Sequence, residues 1–89
     1  MKYFDWDEDK NKWLIANRGI SFEMCIRAIE KGYILGEIQN KQPREHQSKR
    51  MLLIEGYVYV LIYVQDEEKI FFKTVYPSKK ETKKYLNKD

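Results

Sequence analysis

The run from Gly56 to Val64, GYVYVLIYV, constrains the fold more than any other segment of the chain. It is far shorter than the ~20 apolar residues a helix needs to span a bilayer. Its β-branched and aromatic residues suit a strand. Side chains along a strand alternate between the two faces of a sheet. Val58, Val60, Ile62 and Val64 therefore point one way, and Tyr57, Tyr59, Leu61 and Tyr63 the other. Apolar groups on both faces imply a central strand, either covered on both sides or covered on one side and used for binding on the other.

The remaining elements follow from caps, stripes and breakers. Residues 2–6 (KYFDW) form a short strand. Asp7 caps a helix running to about Asn17, because its carboxylate accepts the free N–H groups of a first turn. Glu8 and Asp9 lie where the helix dipole favours negative charge. Lys10, Trp13, Leu14 and Asn17 share one face of this helix, with Trp13 and Leu14 as its anchors, and Gly19 stops it in left-handed geometry. Ser21 caps a second helix, on which Phe22, Cys25, Ile26 and Ile29 form an apolar stripe at helical spacing. Gly32 closes it. Strands at 33–38 and 49–54 flank a polar loop at 39–47 that contains Pro43. Glu55-Gly56 makes a hairpin turn into the central strand, and residues 65–68 turn into a strand at 69–76, ended by Pro77. Residues 79–87 are read as a C-terminal helix or a fraying tail. The order is β-α-α, a meander of antiparallel strands and a terminal helix. The expected class is α+β, with two N-terminal helices packed on an antiparallel sheet of about four strands and a short C-terminal helix.

A chain of 89 residues is expected to form one domain, 1–89. Such a domain buries roughly 60–70% of the surface its unfolded chain exposes, enough for one core. The single cysteine, Cys25, allows no internal disulfide and no cysteine-based metal site. That fits a reducing compartment. The N-terminus, MKYFDWDEDK, has no apolar core of a signal peptide, so a cytoplasmic location is expected. No phosphate-binding loop, GxGxxG, zinc spacing, HExxH or GxSxG occurs, so neither a cofactor nor a metal is expected. The net charge of +3 is divided unevenly. Residues 1–40 carry 6 basic and 7 acidic side chains, and residues 41–89 carry 11 and 7. Lys79, Lys80, Lys83, Lys84 and Lys88 crowd the end of the chain. A positive end attracts polyanions or an acidic protein, and is also a common solubilising tail.

Four segments resemble the BrnT family of bacterial ribonuclease toxins, within the wider RelE-like group. FDWDEDKN, Phe4 to Asn11, is similar to its F-x-W-D-x-x-K-N opening, and NRGISFEMC, Asn17 to Cys25, to its K-H-G-(I/V)-S-F-E-x-A segment. SKRMLLI ahead of a Gly-Tyr hairpin is similar to its E-R-W strand, which puts Arg50 on the motif arginine. PSKKETKKY resembles the S-A-R-x-A-T-x-x-E terminus, with Lys79 on the arginine and Thr82 on the threonine. The chain departs from the family at Arg18 (often histidine), at Lys79, at Pro77-Ser78 (usually Ser-Ala) and at Tyr85 (glutamate). The resemblance implies a RelE-like domain that cuts RNA. It also implies a small antitoxin of ribbon-helix-helix type as partner. DNA would then be reached only through that antitoxin, as the pair represses its own promoter.

Metal-independent RNA cleavage needs a base for the 2′-OH, an acid for the leaving 5′-oxygen and cations for the phosphorane. Arginine grips phosphate bidentately, and lysine acts as a point charge. The catalytic candidates are Arg50 and Lys79, on motif positions, His46, the only histidine, and Glu45. Lys49, Lys73, Lys80, Thr82 and Lys83 are the RNA-binding candidates. Each has a plainer reading: His46 is a solvated loop histidine, Arg50 and Lys79 pair with Glu55 or Glu81 on the surface, and Thr82 caps the last helix. Lys73 faces a groove or snorkels along an outer face. Tyr57, Tyr59 and Tyr63 would stack bases or, more simply, pack beneath the helices. Two other readings stay open: a non-catalytic binding module on the same scaffold, acting in an antitoxin complex, and an RNA binder that does not cut.

Overall fold

The computed structural model describes residues 2–39 and 47–86. Its elements run β1 (Tyr3–Trp6), α1 (Glu8–Arg18), α2 (Phe22–Glu30), β2 (Ile34–Gln39), β3 (Gln47–Ile54), β4 (Tyr57–Gln65), β5 (Lys69–Pro77) and α3 (Lys79–Leu86). The class is α+β, as expected, but the sheet is five-stranded and mixed, in the order β1-β5-β4-β3-β2. The expected sheet of about four antiparallel strands is corrected in one respect. β1 joins the edge of the sheet parallel to β5, with Trp6 beside Phe72. Alternation identifies a strand but carries no information on its partner or direction. The place of β1 on that edge is set by burial. Trp6 stacks on Phe72 with ring centroids 6.0 Å apart and meets Phe22 of α2 at 5.7 Å.

The caps are those the residue types dictate. The Asp7 side chain accepts from Asp9 N–H, and Gly19 ends α1 at φ 65°. The Ser21 side chain accepts from Met24 N–H. Asn11, on the buried face of α1, ties the two helices together. Its Oδ1 accepts the otherwise orphaned Phe22 N–H at 2.8 Å, and its Nδ2 donates to Glu23 Oε1 at 2.8 Å. Asn11 and Phe22 thus give two separate resemblance segments one structural meeting point. At the β3–β4 hairpin both turn residues are left-handed, Glu55 at φ 53° and Gly56 at φ 78°. That geometry matches the twist of the flanking strands.

β4 is central, and each of its faces carries an apolar cluster. On one face, Tyr59, Leu61 and Tyr63 pack with Leu52, Phe72 and Val75 beneath Leu14, Ile20, Phe22 and Cys25 of the α1–α2 layer. Tyr59 and Tyr63 are therefore core residues. On the other face, Val58, Val60 and Met51 form a smaller cluster with Tyr76, Tyr85 and Leu86 under α3. Trp13 departs from expectation. It is 45% exposed, between the Lys10 ammonium and the Arg18 guanidinium, and Leu14 and Asn11 are the residues α1 buries. No helix among the described residues is long and apolar enough to cross a membrane.

α3 is attached by a polar clamp as well as by its apolar side. Pro77 has no N–H with which to extend the β4–β5 ladder. Ser78 N–H continues it by donating to the Val58 carbonyl at 3.0 Å, and Val58 N–H donates to Thr82 Oγ1 at 3.0 Å. The Thr82 hydroxyl in turn donates to the Ser78 carbonyl at 2.6 Å, while Ser78 Oγ caps the helix by accepting from Glu81 N–H. Further along α3, Tyr85 lies so close over β2 that a Cβ at Gly36 would run into its hydroxyl.

Candidate functional site

The strand period divides the expected site residues between the two faces of the sheet. Arg50 and Lys49 are neighbours on β3, so they project to opposite sides. Arg50 shares its face with Leu52 and Ile54, the α1–α2 side. Lys49 shares its face with Met51, the α3 side. Lys73 lies on that second side too, its ammonium 5.7 Å from the Phe71 ring. Lys79, Lys80 and Lys83 are exposed on α3. Arg50 and Lys79, the two motif cations, therefore belong to different faces. Thr82 is committed to the clamp on Val58. Glu45 and His46 lie outside the described residues.

Around Arg50 the structure assembles a polar corner from β2, β3 and β4. β2 pairs antiparallel with β3 in a register that sets Glu37 directly opposite Arg50. Arg50 Nε lies 3.5 Å from Glu37 Oε2, with side-chain exposures of 17% and 35%. The contact is an ion pair without hydrogen-bond alignment, since Nε has no bonding partner among the described residues. Tyr63, two rungs along on β4, is fully buried by its ring and donates its hydroxyl to the same Oε2 at 2.5 Å. The Arg50 guanidinium also covers the Tyr63 ring at 5.0 Å. Gln39 Nε2 completes the set, 3.4 Å from Oε2.

The electrostatics follow from these contacts. The Tyr63 hydroxyl holds the Glu37 carboxyl below the usual carboxylate range, against a partial desolvation penalty and with help from Arg50. Burial, with the bond to Glu37, pushes the Tyr63 phenol above its ordinary value. At neutral pH the corner holds an ionised carboxylate, a guanidinium and a neutral phenol. Glu37 is not among the sequence candidates, and Tyr63 figures there only as a base-stacking or core residue. Glu37 falls within YILGEI, where only the β2–β3 register brings it opposite Arg50. That register shifts at a bulge between Ile34 and Gly36.

The Arg50 pairing also replaces the surface pair expected with Glu55: the partner is a cross-strand glutamate. Arg18, where the BrnT family often has histidine, reaches across α1 to β5, donating to the Val75 carbonyl at 3.0 Å. Its observed role is to hold the end of α1 on the sheet. No group of three or more metal-ligating side chains occurs among the described residues. A shallow groove of about 230 Å³ lies elsewhere, between α2 and the β3 end, with Met24, Ala28 and Leu53 in its floor and Arg27 and Lys31 at its rim. No known protein family and no curated protein matches the chain.

Proposed function

We propose that this protein is an RNA-cleaving toxin of the BrnT kind, with a RelE-like fold, working without a metal and held in check by a small ribbon-helix-helix antitoxin. The observation that supports it is the Glu37–Arg50 pair. The arginine on the motif position stands beside an ionised, partly exposed carboxylate fixed by a buried phenol. This is the base-and-cation pairing that transesterification of RNA requires. In this reading the 2′-oxygen attacks the adjacent phosphorus, and its proton passes to Glu37. Arg50 balances the charge gathering on the phosphorane oxygens. The 5′-oxygen departs, taking a proton from water, and leaves a 2′,3′-cyclic phosphate. Tyr63 is a positioning residue: its ring is buried and, among the described residues, its hydroxyl donates to Glu37.

Induced expression in a bacterial host, following growth and total RNA, tests the proposal. Wild type should arrest growth and degrade RNA. Glu37→Gln and Arg50→Ala should each abolish both effects while keeping the wild-type circular dichroism spectrum. Lys79→Ala, on the other side of the sheet, should retain arrest. The second reading, a non-catalytic module in an antitoxin complex, draws on the same pair, because Glu37 already neutralises Arg50 as an ordinary cross-strand contact would. Well-expressed, folded wild type that arrests nothing would select it.

A further inference from the structure

We propose that the half of the sheet face beside α3 is a binding surface for single-stranded RNA, separate from the Glu37–Arg50 corner, with Phe71 as a base-stacking platform. The proposal rests on the RNA-directed reading above, and adds where the strand is held.

α3 covers only part of its face of the sheet. It packs on Met51, Val58 and Val60, and its polar clamp is at Val58. Further along the same strands lie Lys49, Ile62 and Lys73, then Val64 and Phe71. The ladder sets Lys49 opposite Ile62, and Val64 opposite Phe71. Val64 and Phe71 are half-buried and stand outside the cluster under α3, Ile62 packs against that cluster, and Ile38, beside Lys49 on the edge strand, is 54% exposed. This apolar strip is bordered by cations. The Lys69 and Lys73 ammonium groups approach the Phe71 ring to 5.6 and 5.7 Å. The one acid that the strands place on this face, Asp5, is already paired with Lys69 at 3.5 Å. Lys49 and Lys73 have no salt bridge among the described residues.

Lysine heads around a partly exposed aromatic ring on a sheet face are the components of sequence-tolerant single-strand recognition: phosphates on the cations and an unpaired base on the ring. An exposed cation–π contact is weaker than base stacking. A base therefore takes the ring and releases a lysine head to its own phosphate. Asp66, Glu67 and Glu68 lie beyond the strand ends, in the β4–β5 turn. They direct the strand from Phe71 towards Lys73, Lys49 and the lysines of α3. A paired duplex offers no free base face, so it is excluded from the ring.

The test is fluorescence anisotropy on the full chain with a labelled twelve-nucleotide RNA, 2′-O-methylated throughout so that it cannot be cut. Beside it, cleavage of the unmodified strand is measured. Phe71→Leu keeps an apolar side chain and removes stacking, so it should weaken binding by roughly tenfold. Lys49→Gln/Lys73→Gln should flatten the salt dependence by about 1.4 in the log–log slope, two phosphate contacts on a single strand. Both variants should raise KM with little change in kcat, whereas Glu37→Gln should lower kcat with binding unchanged. Wild-type affinity in Phe71→Leu, or duplex RNA binding as tightly as single strand, overturns the platform while leaving the Glu37–Arg50 reading intact. Binding lost in these variants with cleavage unaffected by Glu37→Gln upholds the platform and removes the proposed reaction centre.

Discussion

Tyr63→Phe isolates one hydroxyl. The ring is fully buried against the α1–α2 core, and phenylalanine preserves that packing. What disappears is the hydrogen bond to Glu37 Oε2. A bond to a charged acceptor contributes roughly 1.5–3 kcal/mol. Glu37 is about a third exposed by its side chain, so water replaces part of the loss and the expected cost is at the low end, ~1.5 kcal/mol. The sign of the pH dependence follows from the carboxyl. Its folded pKa lies below its unfolded value of 4.5, so its contribution is complete above 4.5 and disappears as pH falls through the folded pKa. Urea unfolding of wild type and Tyr63→Phe should therefore differ by ~1.5 kcal/mol at pH 7 and converge in acid. An equal difference at both pH values would show that the hydroxyl acts through packing or its own solvation, and the positioning role would be refuted. The same substitution has a kinetic signature. With Glu37 as base, the acid limb of kcat lies below the usual carboxylate range and should move up towards it in Tyr63→Phe. A limb near ~6.5, unmoved by Tyr63→Phe, would instead assign the proton transfer to His46.

Thr82→Val removes the acceptor for the buried Val58 N–H and should cost about 1–3 kcal/mol in urea unfolding, with Thr82→Ser recovering most of it. Amide exchange at Val58 reports the loss locally. Asn11→Ala leaves the Phe22 N–H without a partner and frees Glu23, so it should destabilise by a similar ~2 kcal/mol. Its effect should be partly lost below the pKa of Glu23, which the Asn11 bond holds below 4.5. Cys25 is enclosed in the core, and burial pushes its thiol up to about 12, so thiol reagents should leave it unmodified until the chain unfolds.

Local rules located most elements, because the residues that set them act within a few positions of each other. Asp7, Gly19 and Ser21 bound two helices through their own side chains or backbone freedom, and Phe22 and Cys25 mark the buried stripe without reference to the rest of the chain. The two-sided apolar pattern of β4 shows that it is central. The pairing of β1 is different in kind, since its partner strand holds Phe72, more than sixty residues away in sequence. The Glu37–Arg50 contact depends on the register of two strands whose pairing shifts at a bulge. Trp13 shows the limit of face counting. Asn11 and Trp13 flank Leu14 on opposite sides of the helix face, and the hydrogen bond Asn11 makes to α2 favours the polar residue inside.

The separation of Lys49 from Arg50 follows from the strand period alone. What the period does not show is which face the helices cover, and that decides the chemistry. Had the α1–α2 layer extended over the whole of β3, Arg50 would be sealed in and its charge spent on Glu37, and only the lysine face would meet solvent. Glu37, on the edge strand β2, instead keeps 35% of its side chain exposed. Arg50→Ala/Lys79→Ala, the pair a motif alignment recommends, would disturb both faces at once and could not separate catalysis from binding. The single substitutions Glu37→Gln and Lys49→Gln lie on opposite sides of one rung pair, and a reaction centre on one face with an RNA anchor on the other predicts that their effects on kcat and KM are independent.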